Sequence, residues 1–148
     1  MNKIEYAIKS DFRKINNLLL ENQLPAIDEN YPHALYLKTT SLDDQIIGAI
    51  GIERYERYGL LRSLVVDQKY RNQSIASRLL DQLLEKAVDL KLESLYLLTT
   101  TADHYFDKKK FLRIDRSEVP EAVKQSSEFK DVCPLSSVVM MKKIEKSQ

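Results

Sequence analysis

The stretch from Leu60 to Thr100 constrains the fold more than any other. "LLRSLVV", residues 60–66, is a short apolar run with the length of a strand. From Ile75 the period changes. Apolar residues recur at Leu79, Leu80, Leu83, Leu84, Ala87 and Leu90, the spacing of one helix face. "LESLYLLTT" is then apolar at both parities, as a strand covered on both sides must be. A strand, a helix and a strand in this order form a crossover, which makes the two strands parallel. Between the first strand and the helix lies "DQKYRNQS", an acid, a basic pair and small polar residues. The first turn of a helix leaves N–H groups unpaired and carries a partial positive charge. Successive amides there form a nest for an anion. The competing reading is an ordinary N-cap, because Ser74 suits that position with no ligand at all.

The remaining elements follow from pattern. "KIEYAI" alternates and reads as a first strand. Ser10 is placed to cap a helix over "DFRKINNLLLENQ", whose Phe12, Ile15, Leu18 and Leu19 share one face. "LPAIDENYPHA" is a loop, since its prolines and polar residues exclude a regular element. "ALYLKTT" and "QIIGAIGIERY" are strands joined by "SLDD", and "ERYG" leads on to "LLRSLVV". A short helix near Asp103 carries His104, Tyr105 and Phe106. "FLRIDRS" is a further strand, Pro120 opens a helix over "PEAVKQSSEF", and "SSVVMMKKI" closes the sheet. The expected order is β-α-β-β-β-α-β-α-β-α-β, an α/β class with a mixed sheet of about six to seven strands flanked by helices. Length favours a single domain over residues 1–148.

Composition excludes several functions. Charged residues make up 30% of the chain, but their signs nearly cancel to +1, so nothing argues for a nucleic-acid partner. The first residues, "MNKIEYAIKSDFRK", have no apolar core and do not read as a secretory signal. No apolar run approaches the ~18–20 residues of a membrane span. Cys133 is alone and reads as a small hydrophobe in a reducing, cytoplasmic setting. One cysteine and two distant histidines, His33 and His104, make no metal cluster, so no metal is expected. A homodimer stays open.

The element order and the segment after "LRSLVVDQKY" resemble the GNAT N-acetyltransferase superfamily. Its pyrophosphate loop reads R/Q-x-x-G-x-G/A between a strand and a long helix. Here the matching residues are Arg71, Asn72, Gln73, Ser74, Ile75 and Ala76, with serine in place of the central glycine. The resemblance covers nearly the whole chain. "LPAIDE", "IGIERY", "LLRSLVVD" and "RSEVPEAVKQSSEFKDVCPLSSVVMM" resemble the acetyltransferases found with arsenic-resistance genes. "HYFDKKKF" followed by "EVP" resembles the acetyltransferase domain of N-acetylglutamate synthase. These likenesses imply acetyl-CoA as co-substrate and a small, amino-acid-like amine, or an arsenical analogue, as acceptor.

Acetyl transfer to an amine requires a neutral amine, donors for the tetrahedral oxyanion and a proton for the departing thiolate. The family match places backbone donors on Leu64, Val65 and Val66, which would pair with the pantetheine arm like an added strand. Glu53 shares parity with Ile47, Ala49 and Gly51 and is the candidate base. The alternatives are a solvated strand end or an ion pair with Arg62. Arg62 in turn suits an acceptor carboxylate. Tyr105 is the candidate acid, although the family tyrosine aligns with Phe106 and a helix turns ~100° per residue. The competing reading packs Tyr105 against the core. Asp28 and Glu29 either grip an ammonium group or are solvated loop acids. Lys108 to Lys110 read as a solvated face near a helix end. Ser74 and the displaced tyrosine sustain a rival of another class, a non-catalytic acyl-CoA binder or sensor; acetylation of protein N-termini or lysines is a second rival.

Overall fold

The computed structural model describes residues 3–132 and 137–145. Cys133 lies outside them. Among the described residues seven strands and four α-helices follow one another: β1 (Ile4–Tyr6), α1 (Phe12–Glu21), β2 (Ala34–Thr40), β3 (Ile46–Tyr55), β4 (Tyr58–Val66), α2 (Ile75–Asp89), β5 (Ser94–Thr99), α3 (Asp103–Lys108), β6 (Leu112–Ile114), α4 (Glu121–Lys124) and β7 (Val138–Lys143). The sheet order is β1-β2-β3-β4-β5-β7-β6, mixed as expected. The chain packs as two compact units, Met1–Glu53 with Arg62–Lys86 and Arg54–Leu61 with Ala87–Gln148.

In the first unit β1, β2 and β3 are antiparallel, in the registers Ile4↔Thr39 and Ala34↔Glu53. Alternation along β3 sends neighbouring residues to opposite faces. Ala49 joins a core with Ile15, Leu18 and Leu19 of α1, Tyr36 of β2 and Val65 of β4. Gly48 faces the other way, toward α2. A Cβ there would come within 3.1–3.3 Å of Thr39, Leu79 and Ile75 side-chain atoms, so glycine lets the helix settle closely on the strand.

The second unit holds the parallel pairing that the crossover demanded, Tyr58↔Ser94 to Leu60↔Tyr96. β7 pairs antiparallel with both β5 and β6. Residues 94–98 of β5 are buried at both parities, matching the apolar run that identified the strand.

Three local expectations need correction. Ser10 does not cap α1: it lies within a 3-10 turn, Lys9–Asp11. The polar tie at that entry is the Asp11 carboxylate, which accepts from the Ile8 N–H at 2.8 Å and from Lys38 Nζ at 2.8 Å. The helix expected over "PEAVKQSSEF" stops at Lys124, and a separate π-helical turn follows at Glu128–Val132. Ser126 interrupts it: this buried hydroxyl accepts from the Phe129 N–H, a side-chain bond that competes with the helical ladder. Finally, β4 begins at Tyr58 rather than Leu60, leaving two turn residues, Glu56 and Arg57. The Tyr58 ring meets Tyr96 edge-on at 6.0 Å, which draws it into the sheet.

Candidate functional site

Glu53 shares the α1-facing row of β3 with Ala49 and Gly51 and is completely buried. Its Oε2 accepts from Arg62 Nη1 at 2.9 Å, and the arginine is 3% exposed. Of the readings open to Glu53, the solvated strand end is therefore excluded and the ion pair is present. The Arg62 guanidinium is used in two further directions. Nη2 donates to the Ala26 carbonyl at 2.7 Å, and Nε lies 3.3 Å from Ser63 Oγ.

Strict alternation would put Arg62 and Val65 on opposite faces of β4. Both nevertheless face α1, one through Glu53 and the other through the apolar core. Ser63 resolves the conflict: its φ is +65°, a left-handed residue inside a strand, which breaks the alternation as a β-bulge does. Serine there leaves no trace in the hydropathy pattern.

The segment between α1 and β2 lies against this pair. Ile27 is buried, and its N–H donates to Asn16 Oδ1 at 2.8 Å. Asp28 forms an Asx turn, its Oδ1 accepting from the Asn30 N–H at 3.1 Å, while Glu29 is exposed. Tyr31 is half-buried. Burial, reinforced by the negative charge of Glu53, pushes its phenol above the ordinary tyrosine range. His33, exposed, stacks edge-on against Tyr31.

The loop expected to hold an anion follows β4. Asp67 donates its N–H to the Ile47 carbonyl at 2.7 Å and accepts from the Lys69 N–H at 2.9 Å, which closes the 3-10 turn Gln68–Tyr70. Arg71, Asn72, Gln73 and Ser74 are exposed, and Asn72 and Ser74 have φ of +66° and +63°. The serine at the family's glycine position thus adopts the conformation that favours glycine. The Arg78 N–H bonds the Ser74 carbonyl at 3.1 Å, so the N–H groups of Ile75 and Ala76 precede the helical ladder. The Arg71 side chain turns away from the nest. Its Nη2 donates to Asn22 Oδ1 at the end of α1 (2.6 Å), and its Nε to the Val66 carbonyl (3.3 Å). Leu64 is half-buried, whereas Val65 and Val66 are buried.

In the second unit Phe106 is the buried residue of α3. Tyr105 is half-buried, edge-on to Phe106 at 5.3 Å and beneath Lys109 Nζ at 5.6 Å. Lys108 and Lys110 are exposed, and so is His104. Among the described residues no group of three or more His, Cys, Asp or Glu side chains is placed to hold a metal ion. No helix among them is long and apolar enough to cross a membrane.

A seven-stranded mixed sheet with an amide-rich loop at the head of a long helix is the fold expected from the acetyltransferase resemblance. Residues 4–111 match the Acetyltransferase (GNAT) family, and the chain belongs to that family. Over 70 residues it is 33% identical to the amino-acid acetyltransferase of Buchnera aphidicola subsp. Acyrthosiphon pisum (strain APS). That stretch is 47% of this chain and only 16% of the relative's length. Among solved structures, a GNAT-family acetyltransferase from Staphylococcus aureus Mu50 superposes with a TM-score of 0.81 at 18% identity, covering 98% of this chain and 100% of the other. N-acetylglutamate synthase from Neisseria gonorrhoeae, complexed with coenzyme A and N-acetyl-glutamate, superposes with a TM-score of 0.82 at 19% identity, covering 99% of this chain and 36% of the synthase. At these identities the superpositions establish the fold.

Proposed function

We propose that the protein is an acetyl-CoA-dependent N-acetyltransferase acting on the amine of a small, amino-acid-like molecule, with arsenical analogues as a second acceptor class. The observation that carries this reading is the loop Arg71–Ala76. Its amides open a helix, the side chains of Arg71, Asn72, Gln73 and Ser74 are exposed, and two of these residues hold the left-handed backbone of a nest. A diphosphate is the ligand that such a nest fits. The backbone of Leu64, Val65 and Val66 would pair with the pantetheine arm, and an N–H near Val65 would face the thioester carbonyl. Asp28 is the acid assigned to the acceptor ammonium.

The neutral amine attacks the acetyl carbon. The C–N bond forms, the C–S bond breaks, the nitrogen gives up a proton to solvent and the thiolate takes one, with Tyr105 assigned as its donor. Glu53 is held in the buried ion pair with Arg62, its Oε2 accepting from Nη1. Arg62 likewise has its fork committed to Glu53 and Ala26. Calorimetry with acetyl-CoA and a thiol-release assay over an amino-acid and arsenical panel test the reading. Binding together with acceptor-dependent thiol is expected. Binding without turnover across the panel would instead favour a sensor, and no binding would refute the loop assignment.

A further inference from the structure

The segment between α1 and β2 is held to the sheet by a charged side chain that the acetyl-transfer steps do not use. We propose that Arg62 and Glu53 are positioning residues for the acceptor end of the site: Glu53 fixes the guanidinium, and Arg62 fixes the Ala26 carbonyl, so that residues 24–31 keep one conformation.

Three observations support the assignment. A guanidinium offers donors in one rigid plane, and here one Nη goes to Glu53 Oε2 at 2.9 Å while the other goes to Ala26 at 2.7 Å. The pair is also almost completely shielded, with side-chain exposures of 1% and 0%. A buried ion pair is commonly no more stabilising than apolar residues of similar volume, so its placement here is better explained by geometry than by stability. The third observation is convergence. Ile27 is pinned to Asn16, and Tyr31 lies within the electrostatic reach of Glu53. Fixing Ala26 therefore fixes a segment already tied on its C-terminal side, at Ile27 and Tyr31. Ala26 is itself exposed, so the carbonyl is gripped from below while the outer surface of the segment stays open.

That this segment meets the acceptor rests on the proposed acetyltransferase reading; that it is clamped does not. The test pairs hydrogen exchange with kinetics on Arg62→Lys and Glu53→Gln. A lysine keeps the charge but cannot serve Glu53 and Ala26 in one plane. In Arg62→Lys the amides of residues 27–31 should exchange at least about tenfold faster, with α2 unchanged. The acceptor KM should rise by roughly tenfold or more, while coenzyme affinity moves by less than about twofold. Unchanged protection of residues 27–31 in Arg62→Lys would overturn the proposal. So would a fall of about a hundredfold in kcat for Glu53→Gln with the acceptor KM unmoved, because that is the signature of a base. If a single variant fails to fold, Glu53→Met with Arg62→Met removes both charges together. Native-like protection of the segment in that double variant would equally overturn the clamp. Should the wild-type protein bind no coenzyme, the exchange measurement still decides the clamp, and only the acetyltransferase reading falls.

Discussion

Replacing Ser74 with glycine isolates the cost of building the proposed anion nest without glycine. At φ of +63° the serine Cβ crowds the backbone, a conformation that costs an L-residue about 1–2 kcal/mol. Glycine relieves that strain but loses about 0.5–1 kcal/mol through the greater freedom of the unfolded chain. The balance favours Ser74→Gly by roughly 0.5–1 kcal/mol. For a chain of 148 residues this is a rise in Tm of roughly 1–4 °C. Ser74→Ala separates the terms, because it keeps the Cβ and loses only the exposed hydroxyl. It should melt at or slightly below the wild-type temperature. Calorimetry with acetyl-CoA reads the other half of the argument. If the nest binds through amides, removing the Cβ should leave affinity equal or higher. A charge-assisted bond from the Ser74 hydroxyl would instead be lost, at about 1.5–3 kcal/mol. A lower Tm for Ser74→Gly, or equal gains for Ser74→Gly and Ser74→Ala, would refute the claim that backbone strain is stored at this position.

Two further outcomes concern packing and charge. In Gly51→Ala the new Cβ would overlap Cε1 and Cδ1 of Tyr36, which is buried and stacked edge-on with Phe12 at 5.5 Å; urea unfolding should show a loss of about 1–3 kcal/mol, larger than for Gly48→Ala. At Asp11, burial acts to raise the carboxyl, but the Lys38 ammonium and the Ile8 N–H outweigh it and hold the group below its ordinary range. A lowered folded pKa contributes stability above the unfolded pKa, and this contribution is lost as pH falls through the folded pKa. Asp11→Asn should therefore be less stable than wild type near neutrality, with urea midpoints converging as pH drops below ~4.

Regular periodicity made most of the architecture legible. Of the residues read as one helix face, Ile75, Leu79, Leu80, Leu83 and Ala87 are buried and Leu84 and Leu90 are half-buried, and the doubly apolar "LESLYLLTT" contains β5. The Glu53 row was legible too, since parity alone put the carboxylate on the face of Ala49 and Gly51. What it meets there was not. The partner of Arg62 across the gap, Ala26, is 36 residues away, and a backbone carbonyl has no residue-type signature. Nor could alternation reveal that Arg62 and Val65 share a face, because that depends on one left-handed φ at a serine. The expected helix over "PEAVKQSSEF" failed for a related reason: one buried hydroxyl, Ser126, outcompetes a ladder that propensity alone would continue.

The Ser63 case reflects how the chain uses glycine. All three of its glycines lie within strands, and none has positive φ. Gly48 and Gly51 provide room, for α2 and for Tyr36. The left-handed positions go instead to Gln23, Asp44, Glu56, Ser63, Asn72, Ser74, Lys91 and Lys110. Each is conformationally costly for a side-chain-bearing residue, Asn and Asp least. Several of these residues sit at plain element ends: Gln23 follows α1, Glu56 opens the β3–β4 turn and Lys91 follows α2. Surrounding hydrogen bonds such as Leu24 N–H to the Leu19 carbonyl and Leu92 N–H to the Ala87 carbonyl hold the turns in place, offsetting that cost through closed helix ends. Ser63 and Ser74 differ in kind. One lies inside a strand and re-aims Arg62; the other opens the nest before α2. At those two serines, beside the proposed clamp and in the proposed anion loop, removing a Cβ should raise stability, and at Ser74 it should leave coenzyme affinity equal or higher.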